Sequence, residues 1–184
     1  MPSDPAAVAA EVLGLALSRQ PSLGTGRLVM VDGPAGSGKS TLAAEIGRQG
    51  GAEVLQTDEM LEGWGGLPGL PRTLGHVLET LAEGCPATWR RWDWLAGRWG
   101  EEAVVEPGDL LVVEGSGAWA PAHAALVTTL VWVEAPSDVR LRRGLARDGE
   151  EMRPQWEQWR RDEDEVHTRC GTRAAADVVV DTDD

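Results

Sequence analysis

Residues 33–40 read GPAGSGKS, directly after the apolar run RLVMVD (27–32) and directly before KSTLAAEIGRQ (39–49). No other segment limits the fold so strongly. Gly33, Gly36 and Gly38 permit backbone angles closed to other residues, which lets successive N–H groups turn inward. Set between a strand and a helix, such a loop is an anion cradle, because the N–H groups and the positive helix end face one point. The spacing fits G-x-x-x-x-G-K-[ST], the phosphate loop, in the strand–loop–helix context that the motif requires. Gly33, Ala35, Gly36, Ser37, Gly38, Lys39, Ser40 and Thr41 are therefore the candidate nucleotide-binding residues. Lys39 is placed to reach the β- and γ-phosphates, and Ser40 offers a hydroxyl to Mg²⁺, so ATP and Mg²⁺ are the expected cofactors.

Lys39 is the only lysine in the chain; the other 16 strongly basic residues are arginine. Asn, Phe and Tyr are absent and Ile46 is the only isoleucine, a bias that points to GC-rich coding. A compact ammonium on a thin stem fits the loop where a planar guanidinium would crowd it, which explains a lysine surviving at this one position. The bias also makes tryptophan a substitute core filler, so its nine copies do not by themselves mark a site.

Five apolar, β-branched runs recur: 27–32, 52–58, 109–115, 128–135 and 176–182. They are continuous rather than alternating, the pattern of strands covered on both faces. Helical stretches separate them: 39–49, 73–84 ending at Gly84, a short one in PAHAALV (121–127), 137–149 and 154–170. An N-terminal helix lies within 1–24, with Asp4 as cap and Pro5 in the first turn. The expected fold is α/β: a three-layer phosphate-loop fold with a five-stranded parallel sheet, helices on both faces and a helical lid. The 184 residues read as one domain, with an acceptor-side region over 58–100 and a lid over 137–160. Each strand run ends in an acid (Asp32, Asp58, Glu114, Glu134, Asp181), on the sheet edge where ligands of open α/β sheets bind.

Bulk properties narrow the function. A formal charge of −13 argues against a nucleic-acid partner, which needs clustered positive charge. No apolar run is long enough for a membrane span. Cys85 and Cys170 form no disulfide framework, and His76, His123 and His167 have no metal-ligand spacing; reduced thiols and a cytoplasmic location are expected. Without Asn or a second Lys, the Asn-Lys-x-Asp element of guanine-specific GTPases is missing. Motor ATPases need larger domains, so a small kinase fits better.

The layout resembles the uridine kinase / nucleoside monophosphate kinase-like group of phosphate-loop kinases. TDEM (57–60) resembles the acceptor-side Asp segment of that group, EGSG (114–117) the "EG" closing its third strand, and RLRRGLARDG (140–149) its arginine-rich lid. The chain is also similar to actinobacterial nucleoside kinase-like ATP-binding proteins through DGPAGSGKSTLA, DEMLEGWGGL, RRWDW, VVEGSGA and RLRRGLARDG. The Asp-Phe-Tyr pattern of uridine kinases is replaced by Asp58-Glu59-Met60, which leaves the acceptor open.

The resemblance implies phosphoryl transfer from ATP to a nucleoside or related small hydroxyl metabolite. Lys39, Asp58, Arg143 and Arg147 then carry catalysis, with Asp58 on the acceptor hydroxyl and Arg143 also on the nucleotide. Ser40, Asp58 and Glu114 are the candidate Mg²⁺ ligands. Arg140, Arg143 and Arg147 share one helical face that a lid could swing onto the phosphates. TWRRWDWLAGRW (88–99) offers an acceptor pocket, with Arg91 for an anion, Asp93 for a hydroxyl and tryptophans for a ring. Trp92 and Trp94 share a side if the segment is extended. Trp64 would add a wall, and Asp58 and Glu114 complete the candidate substrate residues. DTDD (181–184) falls where related kinases hold adenine, and DEDEV (162–166) reads as a solvated helix face. Two alternatives stay open: a kinase for a sugar acid, shikimate-like acid or antibiotic, and a nucleotide-binding regulatory module without turnover. Either way the expected partners are ATP and a small molecule, with the chain a monomer or homodimer.

Overall fold

The computed structural model describes residues 4–182. The chain begins with α1 (Pro5–Ser18), whose first turn is capped by the Asp4 carboxylate accepting from Ala6 N–H at 3.1 Å. Strand β1 (Arg27–Asp32) runs through the phosphate loop into α2 (Lys39–Gly50). Next come β2 (Glu53–Gln56), three short 3₁₀ turns over 57–69, and α3 (Leu70–Ala82). An antiparallel hairpin follows, β3 (Ala87–Asp93) and β4 (Arg98–Val105). The last part comprises β5 (Leu110–Glu114), β6 (Thr129–Glu134), α4 (Ser137–Asp148), α5 (Arg153–Cys170), the short α6 (Thr172–Ala175) and β7 (Val178–Asp181).

Five strands form a parallel sheet in the order β2-β5-β1-β6-β7. These are the five apolar runs of the sequence; β1 matches its run in full and the other four are shorter by two or three residues. Alternation across the pleat explains why they read as continuous. Leu28 and Met30 of β1 point into the core shared with α3, α5 and the hairpin, while Val29 and Val31 point into the core shared with α1 and α2. Both faces are dry, so every position must be apolar. The register sets Glu114 beside Val31 on one side and Gln56 on the other, which brings three strand ends to one edge.

Three local expectations change. PAHAALV forms a 3₁₀ turn over Pro121–Leu126 rather than an α-helix, its start fixed by Pro121. The 88–99 segment is the core of the hairpin, with a register shift between Arg90 and Trp92. Consequently Trp92 packs on Trp99 across the hairpin, ring centroids 5.2 Å apart, while Trp94 lies in the turn, so the two do not share a strand face. In DEDEV, Glu163 is 0% exposed, not solvated: its side of α5 faces the phosphate loop. Cys85 and Cys170 are free thiols. Among the described residues no helix is long and apolar enough to cross a membrane, and no group of three His, Cys, Asp or Glu forms a metal cluster.

Candidate active site

The loop between β1 and α2 has no freedom to be anything but glycine at its entry. Gly33 has φ +144°, and a Cβ there would stand 2.0 Å from the Val133 carbonyl oxygen on β6. Gly36 has φ +79°, and its Cβ would meet the Arg140 carbonyl oxygen of α4 at 2.6 Å. Both clashes are with backbone, which cannot step aside. Gly33→Ala is therefore expected to destabilise the fold by on the order of 3 kcal/mol, read as a shifted urea midpoint with an unchanged slope. Gly38, in the left-handed region at φ 96°, starts α2 with no side-chain cap, leaving the helix's first N–H groups to a ligand.

Lys39 is buried against this loop. Its Nζ donates to the Pro34 carbonyl at 3.1 Å and to Ser116 Oγ at 3.3 Å. Ser40 Oγ donates to Glu114 Oε1 at 3.0 Å, so a hydroxyl from the first turn of α2 and a carboxylate from the end of β5 already meet. Burial raises the Glu114 carboxyl above its ordinary value, against the pull of Lys39 and the Ser40 hydrogen bond. Asp58, just after β2, is also raised by desolvation, with the Glu59 N–H, Arg147 and Lys39 pulling the other way. Asp58 is exposed, and solvent tempers the rise.

Beneath the loop lie two buried acids that the sequence left unassigned or misread. Asp32 accepts from Gly33 N–H at 2.6 Å, Gly117 N–H at 2.8 Å and Trp119 N–H at 2.9 Å, and meets His167 Nε2 at 3.2 Å. It ties the end of β1 to the turn after β5. Glu163 accepts from Ala35 N–H at 2.8 Å, Trp159 Nε1 at 3.0 Å, Ser116 Oγ at 3.2 Å and Arg140 Nη1 at 2.9 Å. The only sequence signal was the spacing Trp156, Trp159, Glu163, Val166, His167, a helical stripe buried along α5.

The lid arginines have separate fates. Arg140 is buried, held by Glu163 and by the Ala135 carbonyl, so it does not belong to a free lid face. Arg143 lies at the loop, donating to Gly36 O at 3.2 Å and to Thr182 Oγ1 and O at 3.2 and 2.9 Å. Arg147 pairs with Asp148 and sits over the Trp156 ring, 5.8 Å from its centroid.

Of the residues expected on the acceptor side, Trp94 and Arg91 reach the 58–59 turn from the hairpin. Trp94 Nε1 donates to Asp58 O at 3.1 Å, and Arg91 pairs with Glu59 at 2.9 Å. Trp64 stands edge-on to Trp94, Trp156 and Trp159 at 5.7 to 6.1 Å, bridging the hairpin and α5. Asp93 is engaged in the turn, where Oδ1 accepts from Leu95 and Ala96 N–H.

A cavity of about 520 Å³ opens over the loop. Lys39, Ser40, Thr41, Arg143, Arg147, Trp156 and Thr182 line it, together with Pro5 and Val8 of α1. Thr182 Oγ1 also donates to Ser37 O at 2.6 Å, closing the segment after β7 onto the loop. Asp183 and Asp184, the rest of the segment expected beside adenine, lie outside the described residues.

Residues 28–169 match a family model described as an AAA domain. Two solved structures with provisional names share the fold. One, named a fructose transport system kinase from Silicibacter sp. TM1040, is 22% identical, with 96% of this chain and 98% of that chain covered and a TM-score of 0.69. The other, named a uridine kinase from Bacillus stearothermophilus, is 17% identical, with 96% and 97% covered and a TM-score of 0.64. A comparison with curated proteins finds no match. At these identities the likeness is one of fold, and the fold is that of a phosphate-loop kinase.

Proposed function

Since the chain belongs to the AAA domain family, we propose that it is an ATP- and Mg²⁺-dependent phosphotransferase acting on a small hydroxyl-bearing metabolite, nucleoside-like first. One observation carries this reading: Lys39, the Ser40–Glu114 pair and Asp58 meet at the carboxyl edge of the sheet, beside a cavity the size of a nucleotide.

The donor set fits a hard cation. Ser40 Oγ and Glu114 Oε1 are adjacent oxygens, and with no larger protein cluster among the described residues, phosphate oxygens would supply the remaining ligands. Bound there, Mg²⁺ would neutralise charge on the β- and γ-phosphates. The protein's own part is positioning and electrostatics. Lys39 leaves the Pro34 carbonyl for the phosphate oxygens. Asp58 orients the acceptor hydroxyl and takes its proton. Arg143 holds the nucleotide end of the cavity. Arg147, exchanging Asp148 for phosphate, adds positive charge as the reaction proceeds. Trp64 and Trp94 bound the acceptor side, and Arg91 reaches an acceptor anion by giving up Glu59.

The test is coupled ADP release with Mg²⁺-ATP across nucleosides, nucleoside monophosphates, sugar acids and hydroxylated antibiotics. One acceptor raising the rate well above background supports the reading and names the substrate class. ATP binding without any acceptor response overturns it in favour of a nucleotide-binding module.

A pH profile gives a second check. A base must be ionised, and the folded-state values of Asp58 and Glu114 are raised. Activity should therefore fall, as the pH is lowered, at a pH above the ordinary carboxylate range near 4. A limb at or below that range would exclude both groups as the titrating base.

A further inference from the structure

Glu163 is, with Asp32, one of two fully enclosed acids among the described residues, and no step of the proposed reaction uses it. It is 0% exposed, and each of its oxygens is occupied. Oε1 accepts from Arg140 of α4; Oε2 accepts from Ala35 N–H, Trp159 Nε1 and Ser116 Oγ. Three of these four partners lie outside its own helix. Ala35 is inside the phosphate loop. Ser116 is the hydroxyl that Lys39 Nζ contacts, and its Oγ is also 3.0 Å from the Gly33 carbonyl. Arg140 carries the main-chain carbonyl against which Gly36 is pressed.

We propose that Glu163 is a positioning residue for nucleotide binding: from α5 it fixes the phosphate loop through Ala35 N–H and sets Lys39 through Ser116. The inference rests on the nucleotide-binding reading of the loop. Its physical basis is that a charged acceptor holds an N–H about twice as strongly as a neutral one, and shorter. With Ala35 N–H turned toward Glu163, Gly33 N–H toward Asp32 and Ser37 N–H toward the Pro34 carbonyl, the N–H groups of Gly36, Gly38 and Lys39 are left to face a phosphate. Held in advance, the loop loses less freedom when a ligand binds. The same carboxylate anchors the first turn of α4 through Arg140.

A structural role alone would also make Glu163 costly to change, so the test must separate folding from binding. Glu163→Gln by itself strands the Arg140 guanidinium in the interior. The double variant E163Q/R140M removes both charges, and replacing a whole buried pair is often close to neutral for stability. Three measurements are compared with wild type: thermal midpoint, Mg²⁺-ATP affinity by tryptophan fluorescence, and amide exchange of the 33–39 segment. The expected result for the double variant is a midpoint within a few degrees of wild type, a Kd raised by about tenfold or more, and faster exchange at the Ala35 amide. A Kd within twofold of wild type in that variant overturns the proposal. So does a loss of affinity that merely follows a fall in thermal midpoint, in the single and double variants alike, without faster exchange in the loop. The wild-type protein decides the underlying reading separately: if it binds no Mg²⁺-ATP, that reading fails first and this inference with it.

Discussion

Lys39→Ala is expected to lower Mg²⁺-ATP affinity and acceptor-dependent turnover together, turnover by at least about a hundredfold. The side chain is buried, 7% exposed, and its ammonium stands between the Pro34 carbonyl and Ser116 Oγ. No other lysine exists in the chain to replace it. The nearest cations are arginines, and each described one is engaged elsewhere: Arg140 with Glu163, Arg143 with Gly36 and Thr182, Arg147 with Asp148. Truncation also takes a donor from Ser116, but the lost stem belongs to neither apolar core, so the fold should survive. Isothermal titration with Mg²⁺-ATP, alongside a thermal melt, checks both halves. Retained affinity and turnover in a folded Lys39→Ala protein would remove the basis for the proposed function.

Asp58→Asn is expected to cut kcat by about a hundredfold to ten-thousandfold while leaving the KM for ATP within a few fold. The amide keeps the shape and the Glu59 and Trp94 surroundings but cannot take a proton. Asp58 sits within the fields of both Lys39 and Arg147, which is why the proposed function gives it the acceptor hydroxyl. Glu114→Gln is the contrasting variant. Glu114 touches Ser40 rather than the open cleft, so its loss should raise the Mg²⁺ concentration needed for half-maximal rate. Steady-state rates over an Mg²⁺ series distinguish the two. If Asp58→Asn shifts the Mg²⁺ requirement and Glu114→Gln does not, the roles of base and metal ligand are exchanged.

The phosphate loop was legible because its constraint is local. Eight contiguous residues carry the glycine angles, the lysine and the hydroxyl, and the flanking strand and helix complete the context. The five core strands were legible for a related reason, since burial on both faces leaves an uninterrupted apolar run whatever the neighbours are. The hairpin was harder. TWRRWDWLAGRW alternates poorly because it is bulged between Arg90 and Trp92 and only half-covered, so its polar residues concealed the pairing with β4. Asp93 resembled a substrate ligand in sequence, while its carboxylate caps the hairpin turn.

The sequence by itself determined the anion cradle, the parallel sheet and the row of acids at the strand ends, because contiguous residues and simple periodicity encode them. Tertiary structure alone decided which of those charges are exposed and which are sealed. Glu163 lies 128 positions from the loop residue it holds, and Asp32 is 135 from His167. A glutamate within DEDEV is chemically the same letter whether water or a backbone N–H satisfies it. Only the crossing of α5 beneath the loop removes the water, and that removal turns a commonplace helix acid into an anchor for the phosphate loop.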